Sequence, residues 1–114
     1  MTEKYPDRIV KIIDDELEGD VQLGFKTSYK PNATIPILWF LLHGRTISLC
    51  STHKSRGIFK QYSQDEIDSI RLKAGLLTLI HSDLSTDDLD ISIPTKLEIE
   101  TIKKELVDAG YELI

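Results

Sequence analysis

Ile35-Pro36-Ile37-Leu38-Trp39-Phe40-Leu41-Leu42-His43-Gly44-Arg45-Thr46-Ile47-Ser48-Leu49-Cys50-Ser51-Thr52, residues 35–52, is the stretch on which the fold turns. Its first part, Ile35 to Leu42, carries no polar side chain, so it reads as a strand with both faces covered rather than one with a solvated side. His43-Gly44-Arg45 offers a tight reversal. Beyond it Ile47 and Leu49 alternate with Thr46, Ser48 and Cys50, the period of two of a strand with one buried face, running to Thr52. The stretch predicts an antiparallel hairpin. Trp39 and Phe40 are neighbours and so project to opposite faces. The second face then needs a cover, either the chain's own amino-terminal helix or another subunit.

Upstream, Val21, Leu23, Phe25, Thr27 and Tyr29 alternate with Gln22, Gly24, Lys26, Ser28 and Lys30, which predicts a half-buried strand over 21–30 with a basic outer face. Lys30-Pro31-Asn32-Ala33 reads as the turn between them. Residues 7–18 form an amphipathic helix, with Ile9, Ile13 and Leu17 four apart, Ile12 beside them, and Asp14, Asp15, Glu16 and Glu18 on the polar arc. Pro6 suits its first position and Gly19 the left-handed residue after its end.

Downstream, His53 to Gly57 is a polar break, followed by strands at Ile58–Tyr62, Ile67–Ala74 and, after Gly75, Leu76–His81. Ser82 to Asp88 reads as an acidic loop and Leu89 to Pro94 as a seventh strand. Thr95 and Glu98 have the spacing of a capping box that opens a helix over 95–109. Ile99, Ile102, Leu106 and Ala109 line its apolar face, Gly110 supplies a left-handed stop, and Tyr111 folds back onto Leu106. Without repeats or a long linker, residues 1–114 read as one domain: helix 1–19, sheet 21–94, helix 95–110.

Charge is segregated along the chain. Of its 114 residues 19 are acidic and the net charge is −5, yet none of the acids falls between Asp20 and Asp65. That window holds Lys26, Lys30, Arg45, Lys54, Arg56 and Lys60, which points to a surface for an anionic partner. No apolar run approaches the ~20 residues that span a bilayer. The polar start of the chain lacks the apolar segment of a signal peptide, and Cys50, a lone cysteine, fits a reducing compartment, so a cytoplasmic protein is expected.

The opening Glu16-Leu17-Glu18-Gly19-Asp20, the hairpin core Ile47 to Arg56 with Gly57-Ile58-Phe59, the segment Tyr62 to Ile70 and the closing Ile91-Ser92-Ile93-Pro94 carry a resemblance to the bacterial pleckstrin-homology-like (PH-like) domains. The resemblance spans about Leu17 to Gly110. It implies an α+β fold: a strongly bent antiparallel sheet or partial barrel of about seven strands, with a carboxy-terminal helix capping one opening. In that family an apolar strand ends in a threonine with a basic residue three on. Here Arg56 follows Thr52 at a spacing one longer, which leaves Lys54 and Arg56 both eligible for the basic place. The resemblance further implies that the basic first half of the barrel faces anionic lipid headgroups or acidic peptides.

Lys26, Lys30, Arg45, His53, Lys54, Arg56 and Lys60 are accordingly the candidate ligand-binding residues, since guanidinium, ammonium and hydroxyl groups on a loop recognise phosphate or carboxylate. The alternative for the same charges is pairing with the protein's own acidic helices. No cofactor is expected. His43, His53 and His81 have no zinc spacing, and Cys50 and His53 would point to opposite faces of a strand. The acids from Asp83 to Asp90 do not match a calcium loop. The motifs of nucleotide-binding loops, serine hydrolases and zinc proteases do not occur. A non-enzymatic binding module is expected, with self-assembly through Trp39 and Phe40 as the alternative. Nucleic acid is disfavoured because the acidic helices would repel a long polyanion.

Overall fold

A helix with apolar residues on one side needs a surface to bury them, and the both-sided strand supplies it. The computed structural model describes residues 5–29, 37–52, 57–91 and 98–114. In it α1 (Asp7–Asp15) buries Ile9 and Ile12 against Trp39, Leu41 and Cys50, with Tyr5, Ile13, Leu17, Val21 and Ile58 packed around them. The helix is three residues shorter than its apolar period suggested. Pro6 is its extended N-cap rather than its first helical residue, and Gly19 takes φ +81° in the turn that follows.

Among the described residues the sheet has seven strands: β1 (Val21–Tyr29), β2 (Leu38–His43), β3 (Thr46–Cys50), β4 (Ile58–Tyr62), β5 (Ile67–Lys73), β6 (Leu76–His81) and β7 (Thr86–Asp90). Their order is β4-β3-β2-β1-β7-β6-β5, every pairing is antiparallel, and the sheet does not close into a barrel. β1 holds the halves together. It pairs with β2 from Val21 to Thr27 and with β7 only at Ser28 and Tyr29. Gly44, at φ +62°, opens the two-residue β2–β3 turn, and Ala74 and Gly75, both at positive φ, make the β5–β6 turn.

Leu38, Phe40 and Leu42 face the main core with Leu23, Phe25, Ile47, Leu49, Ile70, Leu77 and Leu79, and Phe25 stacks on its cross-strand partner Phe40 at 4.7 Å. The opposite face of β2 lies beneath α1. Trp39 is 3% exposed and Phe40 0%. Both candidate interface residues are therefore interior, and the cover anticipated for the second face comes from the chain's own helix.

The last helix, α2 (Ile99–Asp108), buries Ile102 and Leu106 in the main core. Glu98 has extended backbone and is its N-cap, with no side-chain cap hydrogen bond; Thr95, the other half of the expected capping box, lies outside the described residues. The far end matches its sequence signal. Gly110 sits at φ +96°, its N–H reaches Val107 O (2.9 Å), and Tyr111 N–H reaches Leu106 O (3.0 Å). This pair of bonds is a Schellman motif. The Tyr111 hydroxyl then donates to Arg45 O at 2.7 Å, tying α2 to the β2–β3 turn.

Two further departures from the sequence reading share one cause, local side-chain hydrogen bonding. Residues 86–88 belong to β7 rather than an acidic loop, because Asp87 and Asp88 find donors there: Thr78 donates to Asp88 Oδ1 at 2.7 Å, and Asp87 is held by three groups described below. A short 3-10 turn, Gln64–Glu66, precedes β5, with Glu66 Oε1 accepting from the Ser63 N–H (3.3 Å) and hydroxyl (3.0 Å). The Ser63-x-x-Glu66 spacing was its signal. Beyond α2, Ile70 donates to Glu112 O (2.8 Å) and accepts from Ile114 N–H (3.0 Å), so the final residues cover the β5 edge.

Candidate functional site

Strand register decides where the basic window goes. Lys26 is opposite Trp39 in β2, on the face that α1 covers, whereas Lys60 is opposite Leu49 in β3, on the core face. Arg45 lies in the β2–β3 turn. These three do not converge on one surface. Lys30, His53, Lys54 and Arg56 lie outside the described residues.

The frame that carries His53 to Arg56 is described. Ser51 N–H donates to Gly57 O at 2.8 Å, closing the stem between β3 and β4. Gly57 then faces α1 across a groove of about 350 Å³ lined also by Arg8, Lys11, Ile12, Asp15 and Glu16. Arg8 and Lys11 thus stand beside the stem. Sequence reasoning missed them, because they belong to the acidic amino-terminal segment and only tertiary packing brings them to the β3–β4 junction.

Lys60 has an internal partner. Asp87 Oδ2 accepts from the Tyr62 hydroxyl (2.6 Å), His81 Nε2 (3.0 Å) and Lys60 Nζ (3.4 Å). Burial acts to raise the Asp87 pKa, but the hydrogen bonds from Tyr62 and His81 and the charges of Lys60 and His81 outweigh it and hold the carboxyl below its usual range. The cluster joins β4 to the paired strands β6 and β7, neither of which neighbours β4 in the sheet.

A second polar cluster surrounds His43. Its Nδ1 lies 2.7 Å from Glu18 O, and since a carbonyl can only accept, Nδ1 carries the hydrogen. Nε2 then accepts from the Ser48 hydroxyl (2.6 Å), which in turn accepts from Gln61 Nε2 (2.9 Å). A serine, a histidine and an orienting acceptor in line would suit nucleophilic catalysis. Ser48, however, is fully buried and does not line the adjacent cavity of about 280 Å³ formed by Glu16, Glu18, His43, Thr46 and Gln61. The chain of bonds ties the α1–β1 connection to β2, β3 and β4.

Cys50 is buried beneath α1, and burial, aided by the Glu16 charge, pushes its thiol pKa up to about 12, far from a reactive thiolate. Among the described residues no group of three or more His, Cys, Asp or Glu could hold a metal ion, and no helix is long and apolar enough to cross a membrane. Comparison with protein-family models, curated proteins and solved structures found no match.

Proposed function

We propose that this chain is a non-enzymatic binding module of the PH-like kind, which engages an acidic protein segment or an anionic lipid headgroup at the β3–β4 junction. The observation that carries the reading is the closed Ser51–Gly57 stem bordering a groove that Arg8 and Lys11 line together with Asp15 and Glu16, with Glu16 Oε2 nearest to Gly57. The sequence between Ser51 and Gly57 includes His53-Lys54-Ser55-Arg56, whose cations would add to those of the groove; these four lie outside the described residues. Paired guanidinium and ammonium groups recognise carboxylate and phosphate oxygens. The site is narrower than the whole basic window, because Lys26 and Lys60 lie on opposite faces of the sheet and Lys60 already serves Asp87. Nothing favours assembly through Trp39 and Phe40, which are covered.

The test compares sedimentation with vesicles containing phosphatidylserine, sedimentation with purely zwitterionic vesicles, and binding of a glutamate-rich peptide, each at low and high salt. Binding in one anionic arm, lost with K54E/R56E and weakened by R8E or K11E, is the expected result, and the arm that binds identifies the partner class. Surface substitutions of this kind shift stability by only about 0.5 kcal/mol or less, so the variants remain folded. Absence of binding in every arm at low salt would sink the proposal.

A further inference from the structure

Leu84 is the most exposed large apolar side chain among the described residues, at 75%, and its backbone is left-handed at φ +71°. That conformation crowds Cβ against the following carbonyl, and an asparagine or glycine would relieve it. The turn that imposes it is well tied. His81 N–H donates to Ser85 O and Leu84 N–H to His81 O, both at 2.8 Å, while Asp83 Oδ1 accepts the Ser85 N–H (3.0 Å) and hydroxyl (2.6 Å). A strained residue that gains no burial inside the molecule is a candidate contact point outside it. Acids flank this one. The Ser85 hydrogen bonds hold Asp83 below the usual carboxylate range. Ser82 donates to Asp65 O (2.7 Å) and Glu66 O (2.9 Å), which brings the exposed Asp65 and Glu66 alongside.

The opposite end of β6 bears the complementary surface. A cavity of about 330 Å³ on the outer face of β5 and β6 is lined by Arg71, Lys73, Ala74, Leu76 and Thr78. Arg71 and Lys73 are two apart on β5 and so share that face; they lie opposite Thr78 and Leu76. Both cations are exposed, and neither forms an ion pair among the described residues. Ala74 and Leu76 give the cavity an apolar part, while the Thr78 hydroxyl is committed to Asp88. Ala74, at φ +54°, is the other non-glycine residue with positive φ among the described residues, so each of the two surfaces contains one.

An apolar tip flanked by carboxylates suits a cavity whose β5 side carries Arg71 and Lys73 and whose apolar part is Ala74 and Leu76, with Asp88 and Asp90 on the far side of β6. Within one molecule the two cannot meet, since β6 holds them apart by about 17 Å at ~3.3 Å per residue from Leu76 to His81. We propose that the acid-flanked Leu84 turn of one molecule docks into the Arg71–Lys73 cavity of a second copy. The two patches differ, so the contact is head-to-tail and repeats from copy to copy without an inherent stop at the dimer.

Sedimentation velocity of the full chain at low salt tests this. The weight-average mass should rise past that of a dimer with increasing concentration and fall when salt is added, because exposed charge pairs are screened within ~10 Å at 0.1 M. L84N, which a left-handed position accepts, and R71E/K73E should each weaken association by roughly ten- to hundredfold, the range expected for losing one buried leucine or its charged rim. L84N should also unfold at the same or a higher temperature than wild type, which separates lost contact from lost fold. The two variants each keep one intact surface, so their equimolar mixture should form a dimer and nothing larger. A wild type that stays monomeric at millimolar concentration and low salt would overturn the proposal. So would a mixture that associates no better than either variant by itself.

Discussion

Gly24→Ala should destabilise this protein, although the same change in most strands does the reverse. Glycine in a strand interior costs roughly 0.5–1 kcal/mol relative to alanine through its greater freedom in the unfolded chain. At Gly24 that gain meets Tyr5. A Cβ there would lie 2.6 Å from Tyr5 Cε1 and 2.8 Å from Cζ, with the hydroxyl oxygen closer still, so the ring must shift. Tyr5 packs edge-to-face on Trp39, centroids 5.4 Å apart at 72°, and is part of the layer over Ile9, Ile12 and Leu41. Losing the aromatic pair costs about 1 kcal/mol and overpacking or exposing its surroundings about 1–3 kcal/mol. The net expectation is a loss of about 1–2 kcal/mol. Urea unfolding followed by Trp39 fluorescence reads it, and the native emission of the variant should shift to the red. The decisive comparison is the double-mutant cycle: in a Tyr5→Ala background the clash is gone and Gly24→Ala should become neutral or stabilising. Equal destabilisation in both backgrounds would show that Tyr5 is not what the glycine accommodates.

Three other perturbations have expected outcomes. Because the folded-state pKa of Asp87 is depressed, its contribution is present above the unfolded carboxylate pKa near 3.9 and is lost as pH falls through the folded value. Asp87→Asn should cost about 1–3 kcal/mol near neutral pH and flatten that acid limb; an unchanged limb in pH-dependent urea titrations would contradict the assignment. Gly110→Ala, at φ +96° and with Gln64 Nε2 2.6 Å from the new Cβ, should lose about 1–2 kcal/mol, and an unaltered thermal midpoint would count against the Schellman stop. Cys50, with its thiol pKa pushed to about 12, should react with a thiol reagent only on the timescale of unfolding; rapid native-state labelling would mean that α1 lifts readily from the sheet.

The sequence made the scaffold legible wherever burial imposed a period. The two-faced run at β2, the alternation of β1, the stripe on α1 and the Gly110–Tyr111 stop all follow from apolar spacing or from a backbone that only glycine adopts easily. What failed to show was set by side chains that meet across the fold. β7 starts early because Tyr62, His81 and Thr78 supply hydrogen bonds to two aspartates that look like loop residues. The basic window was legible as composition but not as a surface. A linear run of lysines and arginines is divided by strand alternation and by the Leu49/Cys50 bulge between the helix-covered and core faces, while Arg8 and Lys11 join the β3–β4 stem from a segment that reads as acidic.

The narrow joint at β1 also dictates an order of assembly. β1 to β4 is a run of neighbours in sequence, as is β5 to β7, so each half can zip from its own turns with short loops to close. Joining them brings Ser28 to Asp90, 62 residues apart, for only two ladder pairs; the Asp87 cluster is a second polar bridge between the halves, and the main core is shared by both. Loop closure over that span must be met before either bridge returns anything, which makes the joint a late event. Substitutions in the β2–β3 hairpin should therefore slow folding, whereas those at Tyr62, Asp87 or Leu89 should leave the folding rate nearly unchanged and speed unfolding. In this picture the seam between two locally encoded halves governs how long the native state lasts, and the hairpin how quickly it is reached.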